Sequence, residues 1–476
     1  MVFSISASRI IKTRGCPCAK AETGDNSRMT VAKEAKRETK LNKKNTSKIS
    51  QQGSYKQARR QWVGALGLLF LSLSACSEKP AVGNVGHIAG FAGAVVADEP
   101  RAVLVGSDIL SSGGSAADAA VAMYFTLAAT MPHAVGIGGG GACVVHSNAK
   151  NTTEALDFMP RAAASGKFAV PSAPRGLYAL HAKYGRLRWS AILSNAENLS
   201  RFGNQVSRAL AVELANITPI ISKNNELIRL YTEGNRTLQE GEKLTQPELA
   251  GLIGRLRNKG VGELYGGLLA REIEKASQGG ITLEDLRGVS PTWSSGARIQ
   301  FGNETAVFPA NSPAAQALVS AVDGKLSGTV SAIESPANVP AVGFAVADKD
   351  GSMVACIATM GKAFGSGAFL REQGMMLASP LAGQTNATPL LIIKHHVNES
   401  VFAGTASGAD GIRAIVEGAR LTRLGKKTAA NSAETLGGEK LGIIHCPEGL
   451  PPYPRSCEIG FDPKNSGYAR IVAGKI

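Results

Sequence analysis

Along residues 113–131 (GGSAADAAVAMYFTLAATM) almost every position is apolar or small, one Asp118 interrupts the run, and glycine and Pro132 bound it. This predicts a core helix packed through alanine rather than a membrane span, which needs about 20 apolar residues. The short run 142–146 reads as a strand. Upstream, residues 77–100 read as an irregular linker leading to a short strand at 102–105. Residues 175–290 carry helical patterning, with start signals at Thr245-Gln-Pro-Glu248 and Thr282-Leu-Glu-Asp285. After residue 297 the pattern changes to short strands at 342–347, 353–358 and 390–394, and Asp348-Lys-Asp-Gly351 supplies a hairpin turn between the first two. A last helix is expected at 411–424. Helices followed by paired strands predict two sheets packed between helical layers, with no repeat and no visible boundary inside 90–476.

Glycine numbers 55 of 476 residues and aromatics are only 5%, so close packing of small side chains is expected to replace large aromatic cores. The run Gly136-Ile-Gly-Gly-Gly-Gly141 fits that picture. No Gly-Lys-Ser/Thr follows it and a strand comes next, so a phosphate loop is excluded by context and close backbone approach is the better account. The formal charge of +15 is unevenly placed: residues 1–60 hold 15 basic and four acidic groups, leaving 37 and 33 for the rest. A body so nearly balanced lacks the basic face of a nucleic-acid-binding domain.

The excess charge belongs to an address. Residues 1–58 are polar, Lys-rich and without periodicity, and read as a disordered tail or a mis-assigned start. Arg59-Arg60 then precede an uncharged apolar run that ends Leu73-Ser-Ala-Cys76. Basic residues, a short apolar segment and small residues before a cysteine resemble a bacterial lipoprotein signal over residues 59–76. The expectation is lipidation of Cys76, removal of what precedes it, and a protein anchored on the periplasmic side of a membrane. Residues 77–95 would form a linker. Export places the body in an oxidising compartment. A disulfide is then expected between Cys446 and Cys457, eleven residues apart across a Pro-rich loop, while Cys143 and Cys356 read as buried small hydrophobes.

Seven histidines are scattered along the chain (His87, His133, His146, His181, His395, His396 and His445), none at ligand spacing from a carboxylate or cysteine. No metal and no cofactor is expected. A Gly-x-Ser-x-Gly elbow is also missing, so an α/β-hydrolase triad has no foothold.

Several blocks do resemble a family. Residues 110–120 (LSSGGSAADAA), 132–141 (PHAVGIGGGG), 155–158 (ALDF), 176–189 and 280–285 resemble successive motifs of the γ-glutamyltransferases (glutathione hydrolases). So do Asp348-Lys-Asp-Gly351, Phe364-Gly-Ser-Gly367 and Asp462-Pro-Lys464. The resemblance implies an α/β chain of Ntn-hydrolase type: an αββα four-layer sandwich in one large domain. Residues 96–340 would correspond to the large subunit and 341–476 to the small one. It also implies a precursor that cuts itself before a threonine. That threonine, with its freed amine as base, then attacks a γ-glutamyl amide while an oxyanion hole holds the intermediate.

The resemblance breaks at the polar positions. Counting back from Asp348, the family's Thr-Thr-His start falls on Ala341-Val342-Gly343, so the nucleophile position is Ala341. The Asp-Phe-Arg block, whose Arg holds the substrate carboxylate, reads Asp157-Phe158-Met159, with Arg161 two residues on as a substitute. The strand Asn is Gly361, although Thr359 is retained. The block that grips the substrate amine reads from Ala378 to Gly383, and the Ser-Ser block reads Thr385-Asn386. The Gly-Gly oxyanion pair reads Ser407-Gly408. The leading expectation is a catalytically silent relative, with Thr359, Ser407 and Gly408 as residual candidates and Arg161, Thr385, Asn386, Ser407 and Gly408 as remaining substrate contacts. One alternative is an active γ-glutamyl hydrolase using another hydroxyl, Thr359 foremost. The other is a binder of an apolar small ligand in a pocket lined by Met159, Ala341, Gly361 and Pro380. The membrane, through Cys76, is the one macromolecular contact implied; the sequence names no protein partner.

Overall fold

The structure, a computed structural model, describes residues 90–474 except 311, 313, 316–338, 382–384, 395, 396 and 398. The basic tail, the signal-like segment with Cys76, and His87, His395 and His396 lie outside the described residues. Residues Asn84–Ile476 form one compact unit.

Thirteen strands build two antiparallel sheets. In chain order they are β1 (Phe91–Ala97), β2 (Gly140–Ser147), β3 (Thr152–Phe158), β4 (Thr292–Ser294), β5 (Ala297–Phe301), β6 (Glu304–Phe308), β7 (Ala341–Asp348), β8 (Met353–Thr359), β9 (Thr388–Lys394), β10 (Glu399–Ser407), β11 (Lys440–Leu450), β12 (Glu458–Phe461) and β13 (Tyr468–Ala473). The first sheet runs β4-β3-β2-β8-β7-β1-β13 and the second β5-β6-β9-β10-β11-β12. Alternation along each strand assigns the faces. On β7, Val342, Phe344 and Val346 join the helix-side core, while Ala345 and Ala347 join the layer shared with the second sheet. That shared layer also takes Ala94, Val96, Val144 and Ala355 from the first sheet, and Val307, Leu391, Ala403 and Ile444 from the second.

Helices α1 (Pro100–Ser111) and α2 (Ala116–Thr130) cover the first sheet, and α3 (Gly411–Arg423) and α4 (Ala429–Thr435) the second. The result is the four-layer αββα arrangement expected from the sequence. Helix α2 is buried along its whole length and opens with a reciprocal capping box between Ser115 and Asp118. The other oxygen-rich demands on Asp118 come from afar, since the backbone N–H groups of Arg186 and Leu187 also donate to it. Asp348 does the same from the hairpin turn, accepting from Asp350, Ser352 and the first N–H of α2 at Ala116. The glycine run packs as expected: a methyl on Gly138, Gly140 or Gly141 would come within 2.2 Å of a neighbouring carbonyl oxygen. Among the described residues no helix is long and apolar enough to cross a membrane.

Three local expectations are corrected. The strand lies at 91–97, not 102–105, which is inside α1. Pro100 sits in its first turn, Glu99 caps it by accepting the Ala102 N–H, and exposed Asp108 with half-buried Arg101 and Leu104 marks its outer side. The helix at 247–259 starts at Pro247, with Gln246 rather than Thr245 at the cap position and no capping side chain. Gln246 instead donates to the Ala129 carbonyl, a tertiary contact that outweighs the local signal. The box at Thr282 forms as expected.

The third correction is chemical. Cys143 and Cys356 are buried but joined by a disulfide, because β2 and β8 set them directly opposite each other. Cys446 and Cys457 are joined as expected. The Cys143–Cys356 link closes a loop of 213 residues, and a cross-link of that length restricts the unfolded chain strongly. Replacing both cysteines by alanine is expected to lower the unfolding free energy by about 2–4 kcal/mol in urea. A midpoint unchanged from the oxidised parent would count against the link.

Candidate functional site

Strand β7 begins at Ala341, in the middle of the first sheet, with Thr359 of β8 opposite it and Gly140 of β2 opposite Thr359. By alternation from Ala345 and Ala347, Ala341 and Gly343 point into the space between the sheets. The Ala341 methyl belongs to a small apolar group with Ala142, Ile357 and Ala387, against which the half-buried Met159 packs. Thr359 is buried beside it, but its hydroxyl is engaged on both sides. It donates to the Pro340 carbonyl at 2.6 Å and accepts the Gly361 N–H at 3.0 Å.

The other sequence-derived positions divide. Ala341, Thr359, Met159 and Ala387 come together. Thr385 and Asn386 precede Ala387, yet their polar atoms serve the loop: the Thr385 hydroxyl donates to the Ala387 carbonyl, and the Asn386 amide donates to that of Ala409. Arg161 is 63% exposed and pairs with Asp157 at 3.1 Å, on an open groove of about 630 Å³ that Met159, Asp285 and Thr292 also line. Gly361 has φ +78° and no room for a side chain, since a methyl there would lie 2.4 Å from the Ser379 carbonyl oxygen. Gly408 has φ +116°, and a methyl there would meet the end of the Glu439 side chain.

Ser407 ends β10 and introduces a group the sequence reading missed. Its hydroxyl donates to Asp98 Oδ2 at 3.2 Å, and the Gly343 N–H donates to the same oxygen at 2.9 Å. Asp98 Oδ1 has no hydrogen-bond partner. Lys440, opposite Ser407 on β11, pairs with Glu213 at 2.6 Å, and His133 stands 4.0 Å from Glu213. A carboxylate, a serine, a lysine and a histidine thus meet at the end of the inter-sheet layer beside Ala341. The β-branched pair Val95-Val96 ahead of Asp98 was the available signal for a strand leading into this group. His133, His181 and His445 each stand within 4.0 Å of a carboxylate, Glu213, Asp118 and Glu458 respectively. Among the described residues no three His, Cys, Asp or Glu side chains converge as a metal site requires.

Comparison with known proteins gives this geometry a context. The family described as gamma-glutamyltranspeptidase matches residues 102–327, a span that ends short of Ala341. Glutathione hydrolase 3 of Arabidopsis thaliana is 32% identical over 216 residues, 41% of this chain and 34% of that protein. The glutathione hydrolase proenzyme of Pseudomonas aeruginosa is 30% identical over 243 residues, 45% of this chain and 42% of its own. The capsule biosynthesis protein CapD proenzyme of Bacillus anthracis is 32% identical over 197 residues, 41% and 37% of the two chains. The chain therefore spans only about a third of the length of curated relatives such as the Arabidopsis protein. Among solved structures, the cephalosporin acylase from Bacillus halodurans superposes with a TM-score of 0.66 at 18% identity, covering 84% of this chain and 99% of that one, a likeness of fold.

Burial sets the electrostatics of the new group. Loss of solvent pushes the Asp98 carboxyl up from 3.8 to about 6, against the nearby Lys440 and the two hydrogen bonds. Loss of solvent likewise pushes His133 down from 6.5 to about 4. The two shifts have opposite signs in the linkage. Asp98 disfavours its charged form in the fold, so its contribution is full below pH 3.8 and is lost as pH rises through about 6. His133 contributes fully above pH 6.5, and that contribution is lost as pH falls through about 4. Between these limits one proton sits on Asp98 in the folded chain and on His133 in the unfolded one, and the two slopes nearly cancel. Asp98→Asn is expected to expose the histidine's slope. Its stability relative to the parent should grow by on the order of 3 kcal/mol between pH 3.5 and 8, read by urea unfolding at each pH. A constant difference across that range would remove Asp98 as a titrating group.

Proposed function

We propose that this chain, which matches the gamma-glutamyltranspeptidase family over residues 102–327, is a catalytically silent relative of those enzymes. It would persist as a single uncut chain, exported and held to a membrane by a lipid on Cys76. The observation that carries this reading is the environment of Ala341. Acyl transfer needs a nucleophilic oxygen, sulfur or nitrogen at the reacting carbonyl, and residue 341 offers a methyl group packed against other methyl groups.

The nearby hydroxyls do not stand in for it. Thr359 has its proton on the Pro340 carbonyl and a lone pair on the Gly361 N–H. An attack on substrate would require both to break. Ser407 has its proton directed at Asp98 and is almost wholly buried. These facts weigh against an active γ-glutamyl hydrolase that uses another hydroxyl. Met159 in place of an arginine, with Arg161 turned to Asp157, also removes the cation that a γ-glutamyl carboxylate would need. Export is supported by the two disulfides, which a reducing cytosol would keep open.

The experiment is a denaturing gel combined with a γ-glutamyl-anilide assay. The gel must contain reductant, because the Cys143–Cys356 link straddles residue 341 and would hold two cut halves together. One band of full body length is expected, with release of the aniline indistinguishable from buffer. Loss of a hydrolase nucleophile costs roughly 10⁴–10⁶ in rate, well within the reach of the assay. Two bands, or turnover that disappears in Thr359→Ala, would overturn the proposal. The mass of the mature protein from a bacterial membrane fraction should correspond to a chain beginning at diacylated Cys76, and a soluble chain beginning upstream would remove the anchor.

A further inference from the structure

The first sheet bears a cavity of about 200 Å³ at the end of β2 that lies away from Ala341. The seven residues of strand from Gly140, near Ala341, to Ser147, at the cavity, span about 24 Å. No member of the Ala341 group lines it. Its floor is sheet. Cys143, Val145 and Val354 belong to the helix-side core, so alternation turns Ser147 to the same side, and Ser352 stands beside it just before β8. The walls are the first turn of α2 and the segment 183–186 that leaves the helix Ala173–Tyr184.

Three cations line this cavity, Lys150, Lys183 and Arg186, and no carboxylate does. Lys183 pairs with Glu154 and Arg186 with Asp350. The exposed Lys150 has no carboxylate within ion-pair distance among the described residues. Its ammonium donates to the Lys183 carbonyl at 2.6 Å and lies 5.0 Å from the centre of the Tyr184 ring. Three neutral donors are also unused. The Ser147 hydroxyl accepts the Lys150 N–H and the Ser352 hydroxyl the Asn148 N–H, yet among the described residues neither finds an acceptor for its own proton. Ser147 is only 7% exposed. In the first turn of α2 the Ala116 N–H donates to Asp348 and the Asp118 N–H to Ser115, which leaves that of Ala117 without an acceptor among the described residues. Asp118 and Asp348, the carboxylates at that turn, each hold three backbone N–H groups that answer their charge.

We propose that this cavity binds a small phosphate monoester, its phosphoryl group met by the three cations and the three unused donors and its carbon body resting on Val145 and Val354. A phosphoryl group carries nearly two negative charges near neutral pH and three strong acceptor oxygens. It therefore suits a site with one unpaired cation, two shared ones and several neutral donors. A carboxylate brings one charge and two oxygens, and the phosphodiester of a lipid headgroup brings one charge. The volume equals the liquid share of roughly six or seven waters, which limits the ester to a few carbons. The inference goes beyond the silent reading and does not rest on it, because the two places share no residue.

The test is titration calorimetry of the whole protein at pH 7.5 in phosphate-free buffer, with glycerol 3-phosphate beside glycerol, glycerate and glycerophosphocholine. Binding of glycerol 3-phosphate is expected, with glycerol silent. Glycerate and the diester should each be weaker by about tenfold or more, the worth of one hydrogen bond to a charged group. Lys150→Ala, which removes an exposed side chain, should weaken glycerol 3-phosphate by about tenfold, while Lys150→Arg should keep most of the affinity. Ser147→Ala and Ser352→Ala should show smaller losses. Should the Ser147 variant not fold, the ligand series and the Lys150 pair decide the matter. No heat with glycerol 3-phosphate at millimolar concentration, equal affinity for glycerate, or full affinity in Lys150→Ala would each overturn the proposal. Equal affinity for glycerophosphocholine would overturn it too, by giving the site to a lipid headgroup.

Discussion

The distance between the two sheets governs everything else in this molecule. It is set by alanine and glycine at the facing positions: Ala345, Ala347 and Ala355 on one side, and Ala403 with Thr405 on the other. Gly343 and Gly442 mark the tightest points, since a methyl on either would strike Thr405 or Val96 within 2.8 Å. Interiors at this density do not yield to an added carbon without moving their neighbours. The high glycine and low aromatic content of the chain is the compositional trace of that requirement.

The same closeness determines what the site can do. A layer lined by small side chains leaves water no easy path, so the few polar groups within it are answered by protein or not at all. Thr359 is answered by the backbone at both ends of its strand pair. Asp98 is answered on one oxygen only, and burial raises its carboxyl above its ordinary acidity. Around Ala341 the neighbours are apolar, and its methyl group fits among the small side chains of Ala142 and Ala387.

How far the sequence could be read follows from the range of each interaction. Features fixed within a few residues were legible: the α2 helix with its glycine boundary, the 348–351 turn, the capping box at Thr282, and the Cys446–Cys457 pair eleven residues apart. The glycine run was legible too, because its context excluded the competing reading. Features fixed by register between distant strands were not. Cys143 meets Cys356 only because β2 and β8 align across 213 residues. Asp98 was hidden in what looked like a linker, since Phe91–Ala97 is a seven-residue strand of small side chains with weak alternation. The histidine partners were hidden for the same reason of distance. The direction of Arg161 depended on the nearby Asp157, a contact with no signature beyond proximity.

Strand order in the first sheet carries a consequence for biosynthesis. Its central strands, β7 and β8, are made late, while their neighbours β1 and β2 are made early. A nascent chain shorter than about 360 residues therefore exposes the raw edges of β1 and β2, ready to pair with any passing strand. It also lacks the carboxylate of Asp348 that closes the start of α2. Half-made copies of this protein would need a chaperone's protection throughout that interval, and truncated products should be found in aggregates rather than as small soluble domains.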